Sequence, residues 1–273
     1  MAGPRILVFG GRGKGGESYK DIYAFDPLSL TWYQGPEGSG APSERFGHSA
    51  GIIQDSKMIV FGGTNGEKVY NDVSVLNLES MSWSKPDTKG PAPSPRFSHA
   101  SVVIKNTVMI QGGFCYGEKI YSNQSNKNNG NNIEDISKVN KNELGSYLRS
   151  MYLNDIRLLQ TENMLWVRLT VSGSPPKPRF GHTLNISGSN IIMFGGWSID
   201  SNKKEENYKQ YVSVEYFKSL NVDKLVWEET MNRKNIPNNR YGHTATTVGP
   251  HILIFGGWEN NRPTNEVNIL RLI

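Results

Sequence analysis

The composition of this 273-residue chain excludes several classes of protein before any motif is considered. Its 30 basic and 25 acidic side chains leave a net charge of only +5, and without an arginine-rich run nucleic acid is not an expected partner. No stretch reaches the roughly 20 successive apolar residues of a membrane-spanning helix, so no membrane contact is predicted. Because Cys115 is the single cysteine, an internal disulfide framework is excluded, and the cytoplasm is the expected compartment, with the nucleus as the alternative.

Five hydrophobic runs that end in a pair of glycines recur along the chain. They occupy residues 6–11, 58–63, 108–113, 191–196 and 252–257. Each run is short and rich in aliphatic residues, which is typical of a strand buried on both faces, and the glycines permit the chain to turn afterwards. A unit of this kind that returns about every fifty residues predicts the blade of a β-propeller.

A tryptophan and an arginine are separated by one fixed interval in four of the repeats. The pairs are Trp32 with Arg45, Trp83 with Arg96, Trp166 with Arg179, and Trp227 with Arg240. The interval from each arginine to the next glycine pair is also nearly constant, whereas the interval from the glycines to the tryptophan varies widely. The variable length of the repeat is therefore confined to the segment between the glycines and the tryptophan.

Four short strands fit into each repeat and predict an antiparallel meander. Strand A follows the arginine, strand B is the run into the glycines, strand C begins near Asp21, Asp72 or Asp155, and strand D carries the tryptophan. Such a meander cannot bury its faces alone, so the copies must pack around an axis. The first repeat lacks strand A and the last lacks strand D, which gives five units, three of them complete. This favours a piece of a longer protein, or an unusually closed ring, over a self-contained propeller.

The double glycine, the spaced aspartate and the tryptophan resemble kelch repeats, whose four-stranded blades form β-propellers. The resemblance covers nearly all of residues 1–273 and implies one all-β kelch propeller domain. The Pro-x-Arg-Phe-(Gly/Ser)-His variant at 95–99 and 178–182 is similar to the branch found in host cell factor, in leucine-zipper-like regulators and in protozoan and plant phosphatases, and these alternatives stay open. Gln111, Ser98 and Tyr216 depart from the repeat pattern.

One segment interrupts the third repeat between about residues 120 and 150. The part from Ser122 to Lys141 is rich in asparagine, is too polar to bury itself, and is predicted to be flexible. Two interpretations stay open. The segment is either a neutral expansion of the kind common in protozoan proteins or a tethered loop that contacts a partner.

In a meander of this order, the loops after strand B and before strand A lie at the same end of the blade, here called the loop face. The long insertions belong to the loop face, where repeat proteins usually bind their partners. The kelch resemblance implies that residues at the start of strand A and just after the glycines line a peptide site. The candidate binding residues are Arg12, Lys14, Arg45, Arg96, Phe114, Arg179, Trp197, Arg240 and Trp258.

Arginine forks favour carboxylate and phosphate groups, so the expected ligand is a protein or peptide, in particular an acidic or phosphorylated one. For the four motif arginines an alternative stays open, in which they pair with carboxylates or carbonyls of the scaffold. Phe46 and His48, two residues apart in a strand, are expected to point together into the space between blades. Because four of the five histidines recur at this place in the repeat, they are expected to be neutral structural groups bonded to neighbouring backbone.

No catalytic constellation stands out in the sequence, and neither a metal site nor a cofactor is expected. The expected function is therefore that of a non-catalytic protein-interaction propeller, a recognition or regulatory module of a larger protein. The alternative is a propeller enzyme acting on a small molecule, of the sialate mutarotase or copper oxidase type. The identity of the partner and the oligomeric state are left open.

Overall fold

The chain is seen in a computed structural model that describes residues 5–35, 40–116, 151–198, 216–228, 236–260 and 262–271. It divides into two compact units, Met1–Gln111 with Ile156–Leu169 and Gly112–Asp155 with Thr170–Ile273. The elements given for these ranges are β-strands in small, mostly antiparallel sheets, which confirms the predicted all-β class. Within the same ranges no helix is both long and apolar enough to cross a membrane.

Three sheets contribute to the first unit, and in each the neighbouring strands follow the order of the chain. The first sheet consists of β1 (Ile6–Arg12), β2 (Ser18–Asp26) and β3 (Thr31–Gln34). The second consists of β4 (Ser49–Ile53), β5 (Lys57–Phe61), β6 (Val73–Asn77) and β7 (Ser82–Ser84). The third consists of β8 (Ala100–Ile104), β9 (Thr107–Phe114), β10 (Tyr152–Gln160) and β11 (Leu165–Leu169). The glycine end of β9 and the start of β10 belong to the second unit.

The second unit contains one large sheet and two smaller ones. The large sheet consists of β12 (Ser172–Gly173), β13 (Arg179–Ser187), β14 (Asn190–Ser198), β15 (Phe217–Asn221) and β16 (Val226–Glu228). The smaller sheets consist of β17 (Thr244–Val248), β18 (His251–Phe255) and β21 (Val267–Arg271), and of β19 (Trp258–Glu259) and β20 (Arg262–Pro263). Each run into a glycine pair is the second strand of its meander, or the first where strand A is missing, as the repeat pattern predicts.

Strand β5 of the first unit is buried on both faces because each face packs against a neighbouring sheet. On β5, Met58 and Val60 join a cluster with Phe9 of the first sheet. The alternate residues Ile59 and Phe61 join a second cluster with residues of the third sheet, including Trp166. Successive side chains of a strand point to opposite faces, so one aliphatic run serves two sheet-to-sheet cores. The second unit has a corresponding cluster that joins β14 to β18 and β21.

The segment between strands D and A links each complete sheet to the next. Lys89, which follows β7, bridges to Leu165 on β11, and β12 pairs in parallel with β16. A glycine stands in this segment where the backbones meet, because a side chain at Gly173 would collide with the carbonyl oxygen of Trp227. This glycine position was not identified from the sequence, although it recurs seven or eight residues after the tryptophan, at Gly40, Gly90 and Gly173.

Candidate functional site: the loop face

The motif arginine Arg45 lies inside its own blade. Only 1% of it is exposed, and its Nη1 and Nη2 atoms donate to the two carboxylate oxygens of Asp72 at 2.7 and 3.1 Å. Nη1 also donates to the carbonyl oxygen of Gly62 at 2.9 Å, and the guanidinium lies 4.2 Å from the ring centroid of Tyr70. The side chain therefore joins the start of strand A to the end of strand B and the start of strand C.

The other three motif arginines are equally buried. Arg96 and Arg179 have no exposed surface and Arg240 has 2%. Arg179 donates to the Gly195 carbonyl at 2.9 Å, and Arg240 contacts the carboxylates of Glu259 at 2.8 Å and Glu266 at 3.5 Å. Their burial agrees with the second of the two interpretations left open by the sequence, in which the motif arginines pair with the scaffold. Arg45, Arg179 and Arg240 donate to carbonyl oxygens that the glycine turns leave to be paired, and Arg96 donates to Ser94.

The backbone of the same arginine holds two successive blades together at the loop face. The second glycine of one blade donates its N–H to the carbonyl of the next motif arginine. The pairs are Gly11 with Arg45 at 2.9 Å, Gly63 with Arg96 at 2.9 Å, and Gly196 with Arg240 at 2.8 Å. Within each unit, the ends of strands B and the starts of strands A consequently meet, as the meander order predicts.

The residue after the motif aromatic adopts a left-handed backbone conformation. The φ angle is +64° at Gly47, +66° at Gly181 and +65° at Gly242, and it is +52° at Ser98, where the glycine is replaced. This conformation interrupts the alternation of the strand. Phe46 and His48 therefore do not share their surroundings as expected.

Phe46 lies under the Arg12 guanidinium at 5.0 Å and against the Phe97 ring at 6.4 Å. His48 instead packs edge-on against Phe9, with ring centroids 5.3 Å apart. The motif aromatic thus belongs to the loop face, whereas the histidine belongs to the core.

Three of the motif histidines have pKa values well below that of a free imidazole. Burial, together with the nearby guanidinium of Arg45 or Arg240, lowers the pKa of His48 and of His243 to about 4. Burial, with Arg96 next in importance, lowers the pKa of His99 to about 3. The three imidazoles are therefore neutral at pH 7, and this agrees with the structural role expected for them.

Two of these histidines interact with neighbouring backbone as expected, His48 with Phe9 and Arg45 and His243 with Arg240. Side-chain hydroxyls are further partners. His99 Nε2 lies 2.8 Å from the Ser49 hydroxyl, and His243 Nε2 lies 3.0 Å from the Thr183 hydroxyl. Ser49 and Thr183 both directly follow a motif histidine. Two blades therefore bind the histidine of the next blade through the hydroxyl that follows their own motif histidine, at Ser49 and Thr183.

Two exposed cations of the loop face in the first unit lie on the loop between β1 and β2, here called the basic loop, residues 12–17. Arg12 and Lys14 are both exposed there. Besides covering Phe46, Arg12 donates from Nε to the Gly16 carbonyl at 3.3 Å. In the same unit, the Lys68 ammonium lies 5.6 Å from the Tyr70 ring centroid.

In the second unit, aromatic rings occupy the same positions. Phe114 and Trp197 are partly buried, whereas Trp258 is 46% exposed. Phe114 packs against Phe180 at 5.7 Å, and Trp197 packs against Tyr241 at 5.2 Å. The predicted binding residues Phe114, Trp197 and Trp258 thus lie among motif aromatics that the sequence had assigned to the space between blades.

The described ranges contain no group of three His, Cys, Asp or Glu residues that could hold a metal ion. The thiol of Cys115 donates to the Tyr116 carbonyl at 3.3 Å. The asparagine-rich segment from Ser122 to Lys141 lies outside the described residues, as does most of the insertion that follows β14.

The sequence matches the family model described as the KLHDC2/KLHL20/DRC7 Kelch-repeats domain over residues 1–129 and 145–273. It is 33% identical to the Rho GTPase-activating protein gacHH of Dictyostelium discoideum over 70% of the chain and 11% of that protein. It is 27% identical to human Host cell factor 1 over 95% of the chain and 12% of that protein. It is also 24% identical to Acyl-CoA-binding domain-containing protein 5 of Arabidopsis thaliana, over 93% of the chain and 42% of that protein.

These relatives are much longer than the 273 residues that match them, since the chain spans only about a tenth of the first two. Their printed names differ, whereas the kelch-repeat family model covers most of this chain. The repeat spacing accounts for three features of the blades. These are the buried Arg–Asp pair, the hydrogen bond from a glycine N–H to the carbonyl of the next motif arginine, and the neutral histidine. The chain belongs to the kelch-repeat family and has its β-propeller fold.

Proposed function

We propose that this chain is a non-catalytic protein-interaction module of a larger protein and that it binds its partner at the loop face. One observation carries the proposal. The residues that recur in every blade make contacts within the scaffold, as the pair of Arg45 and Asp72 illustrates. Several of the residues that differ between blades, among them Arg12, Lys14 and Trp258, are exposed. Variable exposed residues on a constant framework are typical of a recognition surface.

The partner segment that best fits the first unit is an acidic or phosphorylated peptide. The motif arginines are paired inside the blades. We therefore assign binding of the acidic or phosphorylated group to Arg12 and Lys14 of the basic loop. Glu17 in the same loop accepts a 2.6 Å hydrogen bond from the Tyr19 hydroxyl, which lowers the pKa of its carboxyl, so this residue offsets one of the two positive charges. A phosphoryl group, with close to two negative charges and three acceptor oxygens, would benefit most from the two cations.

Fluorescence anisotropy can test this proposal with a labelled peptide that carries one phosphoserine between two glutamates. The peptide should bind saturably, and the double variant Arg12→Ala with Lys14→Ala should weaken binding by about tenfold, because two charge-assisted contacts are lost. The matched control is Lys105→Ala with Lys224→Ala, which removes the same charge from turns at the opposite ends of their sheets. Equal weakening by the two double variants would show that binding depends on net charge alone, and it would refute a specific site at the basic loop.

The compartment follows from the same proposal. With Cys115 as its single cysteine, this chain cannot form an internal disulfide, so an oxidising environment does not stabilise it in that way. We place the protein in the cytoplasm, with the nucleus as the alternative. Imaging of the full-length protein in its own cells tests this placement, and a secreted protein would contradict it.

A further inference from the structure

Strand β1 lies at the edge of its sheet. Among the described residues its pairing partner is β2, and the strands of this sheet follow the order β1-β2-β3. The equivalent strands β5, β9, β14 and β18 each pair on their other side with a strand A that follows a motif arginine. The outer edge of β1 therefore presents backbone N–H and C=O groups of the kind that accept a further strand.

The first sheet also contains the three groups that hold a motif arginine in the second sheet. There Arg45 binds the carboxylate of Asp72 and the carbonyl of Gly62. The same guanidinium lies over the ring of Tyr70. The equivalent residues of the first sheet, here called the arginine site, are Asp21, Gly10 and Tyr19.

The backbone places the arginine site as it places its counterpart in the second sheet. Phe9 pairs with the residue after Asp21, just as Phe61 pairs with the residue after Asp72. The first glycine of the pair has a φ angle of +60° in the first sheet and +67° in the second. In both sheets an added Cβ atom at that glycine would approach the carbonyl oxygen of the tyrosine, at 3.0 and 3.5 Å. The two sheets thus share the turn after strand B and the start of strand C.

The carboxylate of the arginine site has no cationic partner among the described residues. No arginine or lysine there pairs with Asp21, whereas Asp72 and Glu266, at the same place in strand C, each contact a motif arginine. Asp21 is half-buried and Tyr19 is 41% exposed. A carboxylate accepts a bidentate pair from a guanidinium, and the face of a phenol ring attracts the same cation. The group that fits this site is therefore an arginine side chain.

The segments of this chain that carry such an arginine are already engaged. The motif occurs four times in residues 1–273, and the strands A that follow it each pair with strand B of their own sheet. These strands are β4, β8, β13 and β17. A strand that fills the edge of β1 must therefore come from outside residues 1–273.

We propose that the edge of β1 and the arginine site bind an extended segment of the larger protein, here called the donor segment, which adds as strand A and places an arginine against Asp21. This inference rests on the proposed role as a module of a larger protein and names what that protein supplies. The complete sheets fix the register, since the fourth residue after the arginine pairs with the residue before the glycines, as Thr183 pairs with Phe194. The fourth residue after the arginine of the donor segment accordingly pairs with Phe9.

A capped peptide with the sequence of residues 238–249 is the probe, because it combines Arg240 with a threonine-rich strand A. Titrated into nitrogen-15-labelled protein of residues 1–273, it should shift the amide signals of β1 saturably and slow their exchange with water. The signals of β18 should stay unchanged, because the peptide does not displace its own copy, β17. Shifts at β18 without shifts at β1 would overturn the proposal.

The contact between the arginine and Asp21 is tested by a double-mutant cycle. Citrulline in place of Arg240 should weaken peptide binding about tenfold, because a charge-assisted pair is lost, and Asp21→Asn should weaken the arginine peptide to the same extent. Asp21→Asn should not weaken the citrulline peptide further, since both changes remove one pair. The matched control Asp87→Asn, at an exposed residue, should weaken neither peptide. Equal binding of the arginine peptide to the two variants would overturn the arginine site.

The source of the donor segment is tested with the full-length protein. There the segment already occupies the edge, so added peptide should not bind at β1, and Asp21→Asn should lower the melting temperature. In residues 1–273 alone, the same variant should leave the melting temperature unchanged, because Asp21 has no cation to lose. Capture of the peptide at β1 by the full-length protein would overturn the assignment of the donor segment to the same polypeptide.

The two proposals can fail separately. Asp21→Asn should leave phosphopeptide binding intact, and Lys14→Ala, which lies outside β1, should leave the peptide of residues 238–249 bound. Absence of a response at β1, in protein that still binds the phosphopeptide, refutes the donor segment alone. Absence of phosphopeptide binding, in protein that still binds the arginine peptide at β1, refutes the basic loop alone.

Discussion

Arg45 and Asp72 are joined by two N–H···O bonds of 2.7 and 3.1 Å, across a blade whose strand B separates them in sequence. The arginine is almost fully buried, while 36% of the aspartate side chain reaches solvent. The pair fixes the start of strand A to the start of strand C. Its loss leaves a buried guanidinium with uncharged partners only, and such a group is costly.

Replacing the carboxylate should therefore destabilise the first unit. We expect Asp72→Asn to lower the free energy of unfolding by about 1–3 kcal/mol, the range for a hydrogen bond to a charged group. For a protein of this size the melting temperature should fall by about 2–4 °C for each kcal/mol. Asp87→Asn, at an exposed residue, removes the same charge and should change little. Equal melting temperatures for the two variants would show that the pair does not stabilise the fold.

The left-handed residue of the loop-face motif predicts a stabilising substitution. Ser98 has a φ angle of +52°, in a place where three other repeats have glycine. A residue with a Cβ atom destabilises the folded protein by about 1–2 kcal/mol in this conformation. Replacement by glycine removes that strain, but the greater conformational entropy of glycine in the unfolded chain offsets part of the gain. Ser98→Gly should therefore raise the free energy of unfolding by about 0.5–1 kcal/mol.

The reverse change can be made at Gly242, where an added Cβ would meet nothing within 4 Å. Gly242→Ser should lower the free energy of unfolding by about 1 kcal/mol through the φ angle alone. Chemical denaturation measures both variants. A destabilised Ser98→Gly protein would mean that the Ser98 hydroxyl makes contacts that outweigh its backbone strain.

The glycine before strand A lies so close to the neighbouring backbone that its replacement should cause a larger loss of stability. Gly173 and Gly188 both have positive φ angles, of +82° and +57°. An added Cβ at Gly173 would collide with the Trp227 carbonyl, whereas one at Gly188 would meet nothing within 4 Å. Gly188→Ala should cost about 1 kcal/mol, and Gly173→Ala at least about 2 kcal/mol, because the pairing of β12 with β16 must also open. Similar thermal unfolding of the two variants would contradict this contact.

The buried histidines predict that the fold loses stability in mild acid. The folded pKa is about 4 for His48 and His243 and about 3 for His99, below the ordinary value of 6.5. Between these limits the unfolded chain binds more protons than the folded one, so the free energy of unfolding decreases as the pH falls from about 6.5 to about 4. Urea unfolding at pH 7 and pH 5 measures the slope.

Proton NMR of the imidazole rings checks the cause of this pH dependence directly. His48, His99 and His243 should show no titration between pH 7 and pH 5 in the folded protein. Replacing one of them, as in His99→Gln, should flatten the dependence of stability on pH, since one proton-binding difference is removed. Titration of all three near pH 6.5 would contradict their burial as neutral groups.

The kelch repeat could be read from the sequence because its determinants are local. The aliphatic runs before the glycine pairs specify strands buried on both faces, and the glycines and fixed tryptophan spacing specify where the strands stop. β5 and β14 accordingly lie inside their sheets, and Trp83 and Trp227 lie on β7 and β16, the last strands of their meanders. The loop face could also be predicted, since the meander order alone decides which strand ends meet.

The sequence could not decide which residues of the loop face are exposed. Arg45 is buried because Asp72 and the Gly62 carbonyl converge on it, and this convergence exists only once strands A, B and C are paired. The φ angle of Gly47 separates Phe46 from His48, which an extended strand would have kept together. Whether a guanidinium binds a ligand or its own scaffold thus depends on distances between residues that are remote in sequence, and only the tertiary structure sets these distances.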